Sequence, residues 1–177
     1  MEEPKELFFQ RKKKLEELKE EGLSPYPNTF RVSHSIEEIS RLHGDRKEED
    51  FKDLDDRFAV AGRLMRLNNF GKAAFGHIQD RTGRIQGYFR RDQMSPRSFQ
   101  VFSRLDIGDI VGIRGKLFRT RTGELTLLVE EMDLLAKSFR PLPEKWHGLT
   151  DLETRYRQRY VDLIVTPHSR EVFLVRS

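Results

Sequence analysis

Four side chains that suit the binding of a flat ring share one face of a predicted β-hairpin. Two runs of strand-forming residues, 74–79 and 84–89, flank Asp80-Arg81-Thr82-Gly83, in which Asp bonds to the backbone and Gly supplies the positive φ of a tight turn. Because side chains alternate along strands, pairing of Gln79 with Arg84 places four side chains on one face: Phe75, His77, Gln86 and Tyr88. Phe75 and Gln86 are diagonal neighbours on this face, roughly 7–8 Å apart between Cα atoms, and a flat ring fits into such a gap. The pattern therefore predicts a platform for a nucleobase, formed by these four side chains.

An alternative explanation is that Phe75 and Tyr88 are ordinary cross-strand neighbours on a half-covered sheet. The charge of the surrounding sequence bears on this choice. Residues 58–140 hold 15 Lys and Arg against 8 Asp and Glu, a net charge of +7, whereas residues 1–57 hold 12 against 16, a net charge of −4. A basic segment that contains aromatics is typical of a polyanion-binding domain, although charged runs are often no more than solvated surface.

The composition argues against several other classes of protein. The chain has 177 residues and no cysteine, which rules out disulfides and thiolate metal sites. Its five histidines are too scattered in the sequence to indicate a metal cluster. No run of about 18 apolar residues is present, and the N-terminus lacks the basic start and apolar core of a signal peptide. We therefore expect a cytoplasmic protein without membrane contact.

Five strands and one helix account for the region around the hairpin. Alternating apolar residues predict a first strand at 58–67, and two long strands at 109–120 and 124–135 meet at the turn Thr122-Gly123. Ser95-Pro96 starts a helix before them, with three residues expected in the core: Phe99, Phe102 and Leu105. This order of elements predicts a mainly β fold, the five-stranded OB-fold barrel, whose exposed strand 2–3 face binds oligonucleotides.

Helical segments flank the predicted barrel. A helix over residues 4–21 carries a narrow apolar stripe interrupted by Arg11. Its basic run at residues 11–14 either contacts RNA phosphates or belongs to a surface helix that packs by the stripe. The capping box Ser35-Ile36-Glu37-Glu38 starts a short helix, and the charge-dense residues 45–56 form a linker. Three segments follow the barrel: a stiff spacer at 140–143 and helices at 150–163 and 166–177.

Eight segments spread through nearly the whole chain carry distinctive motifs: residues 60–63, 71–73, 78–80, 83–86, 106–110, 119–125, 140–145 and 155–163. In these segments the chain resembles bacterial class II lysine–tRNA ligase. The order of the barrel elements alone is also similar to that of the aspartate and asparagine ligases. The Thr-Gly-Glu-Leu hairpin at 122–125 and the Arg-Pro-Leu-Pro-Glu-Lys segment at 140–145 look like the lysine enzyme in particular.

This resemblance implies a division of the chain into three parts: an N-terminal helical extension at 1–57, an OB-fold anticodon-binding domain at 58–139, and a linker with the start of a truncated catalytic domain at 140–177. The partner would be the anticodon arm of a lysine tRNA. The parent enzyme would be a homodimer that attaches lysine with ATP and Mg. The family's ATP-binding motifs would lie beyond this chain, which implies that the chain alone holds no cofactor and does not activate lysine.

The resemblance also implies which residues contact the anticodon. Phe75 would stack on the middle base, a uracil, Gln86 would hydrogen-bond the edge of that base, and Glu124 would contact one of the outer uracils. Supporting RNA contacts would come from Arg63, Arg66, Lys72, His77, Tyr88, Arg119 and Arg121. The family commonly has an arginine before Gly71-Lys72, where this chain has Leu67-Asn68-Asn69, and Arg66 is the candidate to replace it.

The chemistry of Gln86 and Glu124 is compatible with these roles. Uracil offers an N3–H donor between two carbonyl acceptors, and a Gln amide offers an acceptor beside a donor. A flipped amide serves cytosine equally well, so Gln86 discriminates only if His77 or another neighbour fixes it. Ionised Glu124 fits a uracil N3–H and repels phosphate, although it could instead pair with Arg121 at the end of its hairpin.

Two other functions are compatible with the sequence. A sequence-tolerant single-strand binder needs only the aromatics and the basic segment, but it leaves residues 140–177 without a purpose. A protein-interaction barrel would use the platform for a peptide and its charge for solubility.

Overall fold

The computed structural model describes residues 4–51, 54–143, 149 and 151–177. The chain divides into two compact units, residues 1–139 and residues 140–177. The first unit contains a closed barrel with the strand order β1-β2-β3-β5-β4. Its strands are β1 Phe58–Phe70, β2 Ala73–Gln79, β3 Arg84–Arg90, β4 Ile110–Arg119 and β5 Leu125–Ala136. Neighbouring strands are antiparallel except for the parallel pair β3 and β5. The mainly β fold and the five strands are as predicted.

Alternate residues of all five strands fill the interior of the barrel. Each strand contributes fully buried apolar side chains, and each such side chain stabilises the fold by about 1.5–3 kcal/mol relative to an exposed one. The strands also need glycine where the barrel bends. A Cβ at Gly115 would lie 1.7 Å from the carbonyl oxygen of Leu128, so no other residue fits at this crossing of β4 and β5.

Strand β1 is longer than the predicted 58–67, and it contains a bulge. Its register with β2 shifts between Leu64 and Arg66, and both Leu64 and Met65 are buried. A bulge of this kind bends the strand and redirects the side chains after it. The strand therefore continues through the polar pair Asn68-Asn69 and ends at Phe70, on the same edge as Phe75.

The first unit includes three α-helices and a short 3₁₀ turn: α1 Pro4–Glu20, α2 Ile36–His43, the 3₁₀ turn Glu48–Phe51 and α3 Pro96–Ser103. The predicted capping box is present, because Glu38 N–H donates to the Ser35 hydroxyl and the Glu38 carboxylate accepts from Ser35 N–H. Arg11 of α1 is buried. It donates to the carbonyl oxygens of Ile107 and Ser138 at 3.3 and 2.7 Å, so this arginine packs the helix and does not contact RNA phosphate.

Of the three residues predicted for the core in and after α3, Leu105 is buried and Phe102 packs against the core, but Phe99 is not in the core. Ser98 and Val101 are buried, whereas Phe99 is only half-buried and lies under the guanidinium of Arg91, 5.0 Å from the ring centroid. The prediction of a core Phe99 was wrong. The reason is a hydrogen bond of 2.9 Å from the Met132 backbone N–H to the Ser98 hydroxyl, which requires Ser98 to face β5.

A buried ionic network joins the end of β5 to the turn before β4. The Lys137 ammonium is fully buried and donates three hydrogen bonds, to Arg104 O at 2.8 Å and to one carboxylate oxygen each of Asp106 and Asp109 at 2.7 Å. Lys14 of α1 also donates to Asp106, at 2.6 Å. Burial alone would raise the pKa of Asp106, but the hydrogen bonds from the two lysines outweigh it and hold that pKa below its ordinary value.

The described residues of the second unit form three short helices, α4 Leu152–Arg157, α5 Arg159–Val165 and α6 Pro167–Arg176. The single helix predicted over 150–163 is interrupted at Gln158, which has φ −117° and ψ 52°, and Thr150 lies outside the described residues. Asp162 is fully buried and accepts from Arg155 and Arg159, and this pairing joins α4 to α5. Within the described residues, no helix has the length and the apolar content to cross a membrane.

Candidate nucleic-acid interface

The predicted register of the central hairpin is correct. Gln79 pairs with Arg84, His77 with Gln86, and Phe75 with Tyr88. On the opposite face, Ile78, Ile85 and Phe89 are buried in the barrel. Asp80 fixes the turn by accepting from the backbone N–H groups of Thr82 and Gly83, and from that of Ile36 at the start of α2. The platform face is therefore held by buried side chains beneath it and by a helix N-terminus beside it.

Four aromatic rings form a row on the platform face. Phe75 and Tyr88 are stacked, with ring centroids 4.4 Å apart and an interplanar angle of 18°. Phe70 meets Phe75 edge-on at 6.2 Å, and Phe118 lies 5.8 Å from Tyr88. Phe70 is 64% exposed. Such a row can stack unpaired bases, because every base has a flat π-face.

A cleft of about 460 Å³ opens beside the rings. Phe75, Gln86 and Tyr88 line one side of it, and Phe118 and the hairpin that joins β4 to β5 line the other. The cleft therefore combines flat aromatic surfaces with one amide and with the polar hairpin residues Thr120, Arg121 and Thr122. That combination matches the needs of a base, which offers a ring to stack on and polar atoms at its edge.

Polar side chains at the end of the cleft form a continuous hydrogen-bond network. The Gln86 amide nitrogen donates to one oxygen of Glu124 at 2.6 Å, and its oxygen accepts from the Thr126 hydroxyl at 2.9 Å. The other oxygen of Glu124 lies 3.3 Å from His77 Nε2. Glu124 is thus bonded to Gln86 and His77, and not to Arg121, which was the alternative partner suggested by the sequence.

The β4–β5 hairpin brings Glu124 to this position. Gly123 has φ +83° and donates its N–H to Thr120 O at 2.8 Å, while Thr120 N–H donates to Glu124 O at 3.0 Å. The loop between Thr120 and Glu124 has three residues, so the prediction of a two-residue turn was wrong. A type I turn followed by a left-handed glycine is the common form of such a loop, and it leaves Glu124 immediately before the first residue of β5.

The cationic side chains predicted to support RNA binding fall into two groups. Arg66, Lys72 and Arg121 are exposed, and Lys72 follows Gly71, whose φ of +66° forms the turn between β1 and β2. These three positive charges lie on or next to the strands that carry the aromatic row. They are available to RNA phosphates, which usually supply most of the affinity in such complexes.

Arg63 and Arg119 have partners within the protein. Arg63 donates to Gly108 O at 2.7 Å, and burial lowers its pKa. Arg119 donates to the carbonyl oxygens of Arg46, Gly44 and Gly123. Arg119 therefore clamps the segment after α2 to the β4–β5 hairpin, and the structure does not bring it into the cleft.

Three residues of the site were not identified from the sequence. The predicted first strand stopped at residue 67, which hid the position of Phe70 although an aromatic before Gly71-Lys72 was a usable signal. Phe118 alternates correctly with buried residues of β4 and could have been assigned to the platform face. Thr126 is fully buried, and no spacing rule shows that its hydroxyl reaches Gln86.

The barrel and its site define the class of the protein. A closed barrel of five strands in this order, with half-buried aromatics on the outer side of β2 and β3, is an OB-fold, a fold that commonly binds oligonucleotides on this face. Residues 58–135 match the family model of the tRNA anti-codon domain, described as an OB-fold nucleic acid binding domain. This match covers all but the last residue of the barrel strands, and the predicted fold class is confirmed. Among the described residues, no three His, Asp or Glu side chains are grouped so that they could hold a metal ion.

The chain as a whole is similar to lysine–tRNA ligases. It is 49% identical over 173 residues to the lysine–tRNA ligase of Pelotomaculum thermopropionicum, which covers 97% of this chain and 33% of the relative. It is 47% identical to the enzymes of Anaeromyxobacter dehalogenans and Moorella thermoacetica. The first alignment covers 98% of this chain and 34% of the relative, and the second covers 100% of this chain and 35% of the relative. The resemblance seen in the motifs is confirmed, and the chain spans about a third of the length of these relatives.

Proposed function

We propose that the barrel recognises the anticodon of a lysine tRNA, of the UUU type, as part of a lysine–tRNA ligase. The observation that carries this proposal is the aromatic row beside an oriented amide and carboxylate. Phe75 stacks on the middle base, Gln86 bonds the edge of that base, and Glu124 accepts from an outer uracil with its remaining lone pairs. The relatives at 43–49% identity are all named lysine–tRNA ligases, which supports the choice of tRNA.

The supporting residues divide the remaining tasks. Tyr88 backs the ring of Phe75, and His77 holds the carboxylate of Glu124. Three exposed cations take phosphates of the loop: Arg66, Lys72 and Arg121. Arg63 and Arg119 act indirectly, because their hydrogen bonds to backbone carbonyls fix the strands and the hairpin that form the cleft.

The parent enzyme in this proposal is a class II lysine–tRNA ligase, a homodimer that attaches lysine with ATP and Mg. Residues 1–57 form a helical extension, 58–139 the anticodon-binding domain, and 140–177 a linker and the first part of the catalytic domain. As the resemblance implies, we assign ATP and Mg to other parts of the ligase. The 177-residue chain should give no ATP–pyrophosphate exchange with lysine, and measurable exchange would contradict this assignment.

A titration with three ligands tests the recognition function. The ligands are an anticodon stem-loop with UUU, the same stem-loop with cytosine in the middle, and oligo-dT of equal length. Strong preference for the first ligand is the expected result. Equal binding of all three would favour the second candidate, a sequence-tolerant single-strand binder, for which the four-ring row is the supporting observation. Binding of none would contradict both functions.

A further inference from the structure

The side-chain amide of Gln86 has different partners on its two sides. Its nitrogen lies 2.6 Å from a carboxylate oxygen of Glu124, and its oxygen lies 2.9 Å from the Thr126 hydroxyl. An ionised carboxylate can only accept hydrogen bonds. A rotation of the amide by 180° would therefore place two acceptors against each other at this short distance. The contact with Glu124 therefore allows only the orientation in which the amide nitrogen faces the carboxylate.

Thr126 lies beside Gln86 on the outer side of the barrel, and its hydroxyl can donate to the Gln86 oxygen in the orientation that Glu124 requires. It pairs with Gln86 across the parallel β3–β5 ladder and with Phe118 across β4, and it is fully buried. Its hydroxyl has one proton, with the Gln86 side-chain oxygen at 2.9 Å and the Glu124 backbone oxygen at 3.1 Å as acceptors. Because Thr126 cannot reach a ligand, any influence it has on a bound base must pass through Gln86.

These two bonds leave the amide able to bind a base. A carboxamide has two hydrogens on nitrogen and two lone pairs on oxygen, and Glu124 and Thr126 use one of each. Gln86 is only partly buried and lines the cleft. It therefore keeps one donor and one acceptor while its orientation is set by the protein. His77 contacts the other oxygen of Glu124 at 3.3 Å, so the carboxylate is itself held from a second side.

We propose that Glu124 and Thr126 lock the Gln86 amide in one orientation, and that this lock makes the cleft distinguish uracil from cytosine. The distinction depends on orientation because the N3 atom of uracil carries a hydrogen and needs an acceptor, whereas the N3 atom of cytosine needs a donor. Thr126 is a positioning residue in this scheme, and Glu124 acquires a second role besides its own base contact. The inference rests on the proposed recognition of a uracil anticodon.

Thr126→Val tests the lock, because valine keeps the shape of threonine and removes the hydroxyl. Thr126→Ser is the matched control, since it keeps the hydroxyl. Affinities are measured for the UUU stem-loop and for the loop with cytosine in the middle, and their ratio is the readout. A bidentate base contact discriminates on the order of tenfold to a hundredfold. We expect Thr126→Val to reduce the ratio at least about threefold, and Thr126→Ser to preserve it.

A second variant makes the result independent of how valine packs. Glu124→Gln replaces an acceptor by a group that can either accept or donate, so the amide of Gln86 becomes free to turn. Both loops share the same outer bases, so the loss of any outer contact cancels in the ratio. We expect Glu124→Gln to reduce the ratio as well, and the double variant to bring it close to that of Gln86→Ala.

The outcomes separate the lock from the recognition function. A ratio that stays at the parent value in natively folded Thr126→Val, or in Glu124→Gln if the valine variant does not fold, overturns the lock and leaves anticodon recognition intact. A parent chain that binds the two loops equally, or binds neither, overturns the recognition function and the lock together. Loss of the ratio in Thr126→Ser as well would show that packing and not the hydroxyl is responsible, which also overturns the lock.

Discussion

Two polar networks in the same unit use similar groups for opposite purposes. In the buried network around Lys137, the three ammonium hydrogens have three acceptors, at 2.7 to 2.8 Å, and the partner Asp109 is fully buried. In the network around Gln86, the amide and the carboxylate are also bonded, yet each has more donor or acceptor sites than bonds, and Gln86 lines an open cleft. The first network is saturated and holds the fold. The second is oriented but unsaturated, which is the condition for binding a ligand.

Removal of the Lys137 ammonium should have the largest effect of the changes that distinguish the two networks, and the effect should be on stability. Lys137→Met leaves the carboxylates of Asp106 and Asp109 without their shared buried partner, and breaking a buried pair in this way costs about 3–5 kcal/mol. The free energy of unfolding, from urea titration, measures the loss. Lys116→Met is the control, because its pair with Asp55 is exposed and solvent screens such a pair, so its loss should change stability little. Similar stabilities of the two variants would contradict the saturated network.

Truncation of the stacking ring should affect binding and leave the fold intact. We expect Phe75→Ala to weaken binding of the UUU stem-loop by about 1–3 kcal/mol, the usual contribution of one base–aromatic stack. Circular dichroism should remain native. Phe99→Ala provides a matched aromatic control, since Phe99 is half-buried on α3 and away from the cleft. If Phe99→Ala weakens binding as much as Phe75→Ala, the row of rings is not the binding surface.

Acidification should weaken the saturated network through Asp106. The pKa of Asp106 is below its ordinary value, because the hydrogen bonds from Lys137 and Lys14 outweigh the effect of burial. The Asp106 carboxyl therefore binds a proton more readily in the unfolded chain than in the folded one. Its contribution to the free energy of unfolding is complete above the unfolded pKa of about 3.9, and it is lost as pH falls through the lower folded pKa. Urea midpoints measured below about pH 5 should fall more steeply for the parent than for Asp106→Asn.

The control for the acid experiment is Asp92→Asn. Asp92 also has a lowered pKa, through its hydrogen bond with Arg90, but this pair is exposed and screened by solvent. We expect Asp92→Asn to retain the steep acid dependence of the parent. Identical profiles for Asp106→Asn and the parent would mean that the buried network does not control acid stability.

The smallest expected effect separates cations that face RNA from cations that hold the fold. Affinity for a single-stranded loop falls with salt at a log–log slope of roughly −0.7 per neutralised phosphate. Lys72→Ala should make the slope shallower by about this amount for every loop sequence alike, and the ratio between loops should not change. Arg119→Ala should leave the slope unchanged and lower stability, because Arg119 bonds backbone carbonyls. Equal salt slopes for Lys72→Ala and the parent would show that Lys72 does not contact a phosphate.

Much of the fold was predictable because its patterns are local. The alternation in the central hairpin and the turn chemistry of Asp80 gave the register of β2 with β3 correctly. Errors occurred where a tertiary partner decided the outcome. Phe99 was assigned to the core by its spacing, but the Met132 N–H needs the Ser98 hydroxyl. Strand β1 was cut short at two asparagines because a bulge is invisible in a binary pattern.

The site was predictable in its residue types and less so in its bonds. Phe75 and Gln86 share a face by parity alone. The orientation of Gln86 depends on Thr126 and Glu124, which are 40 and 38 residues away in the sequence and lie on another strand. Arg119 is a similar case. Its charge and position predict a phosphate contact, but its partners Arg46 and Gly44 are 73 and 75 residues away in the sequence. Charged residues can be counted in a sequence, but their hydrogen bonds to distant backbone carbonyls cannot be read from it.

The parallel β3–β5 pair also determines the order in which the barrel gains its properties. Phe75 and Tyr88 belong to one hairpin and meet as soon as that hairpin forms, whereas Gln86 meets Thr126 only when a chain segment of 40 residues has closed. Contacts between residues distant in sequence require loop closure and form slowly. A folding chain therefore has its stacking surface before its amide is oriented.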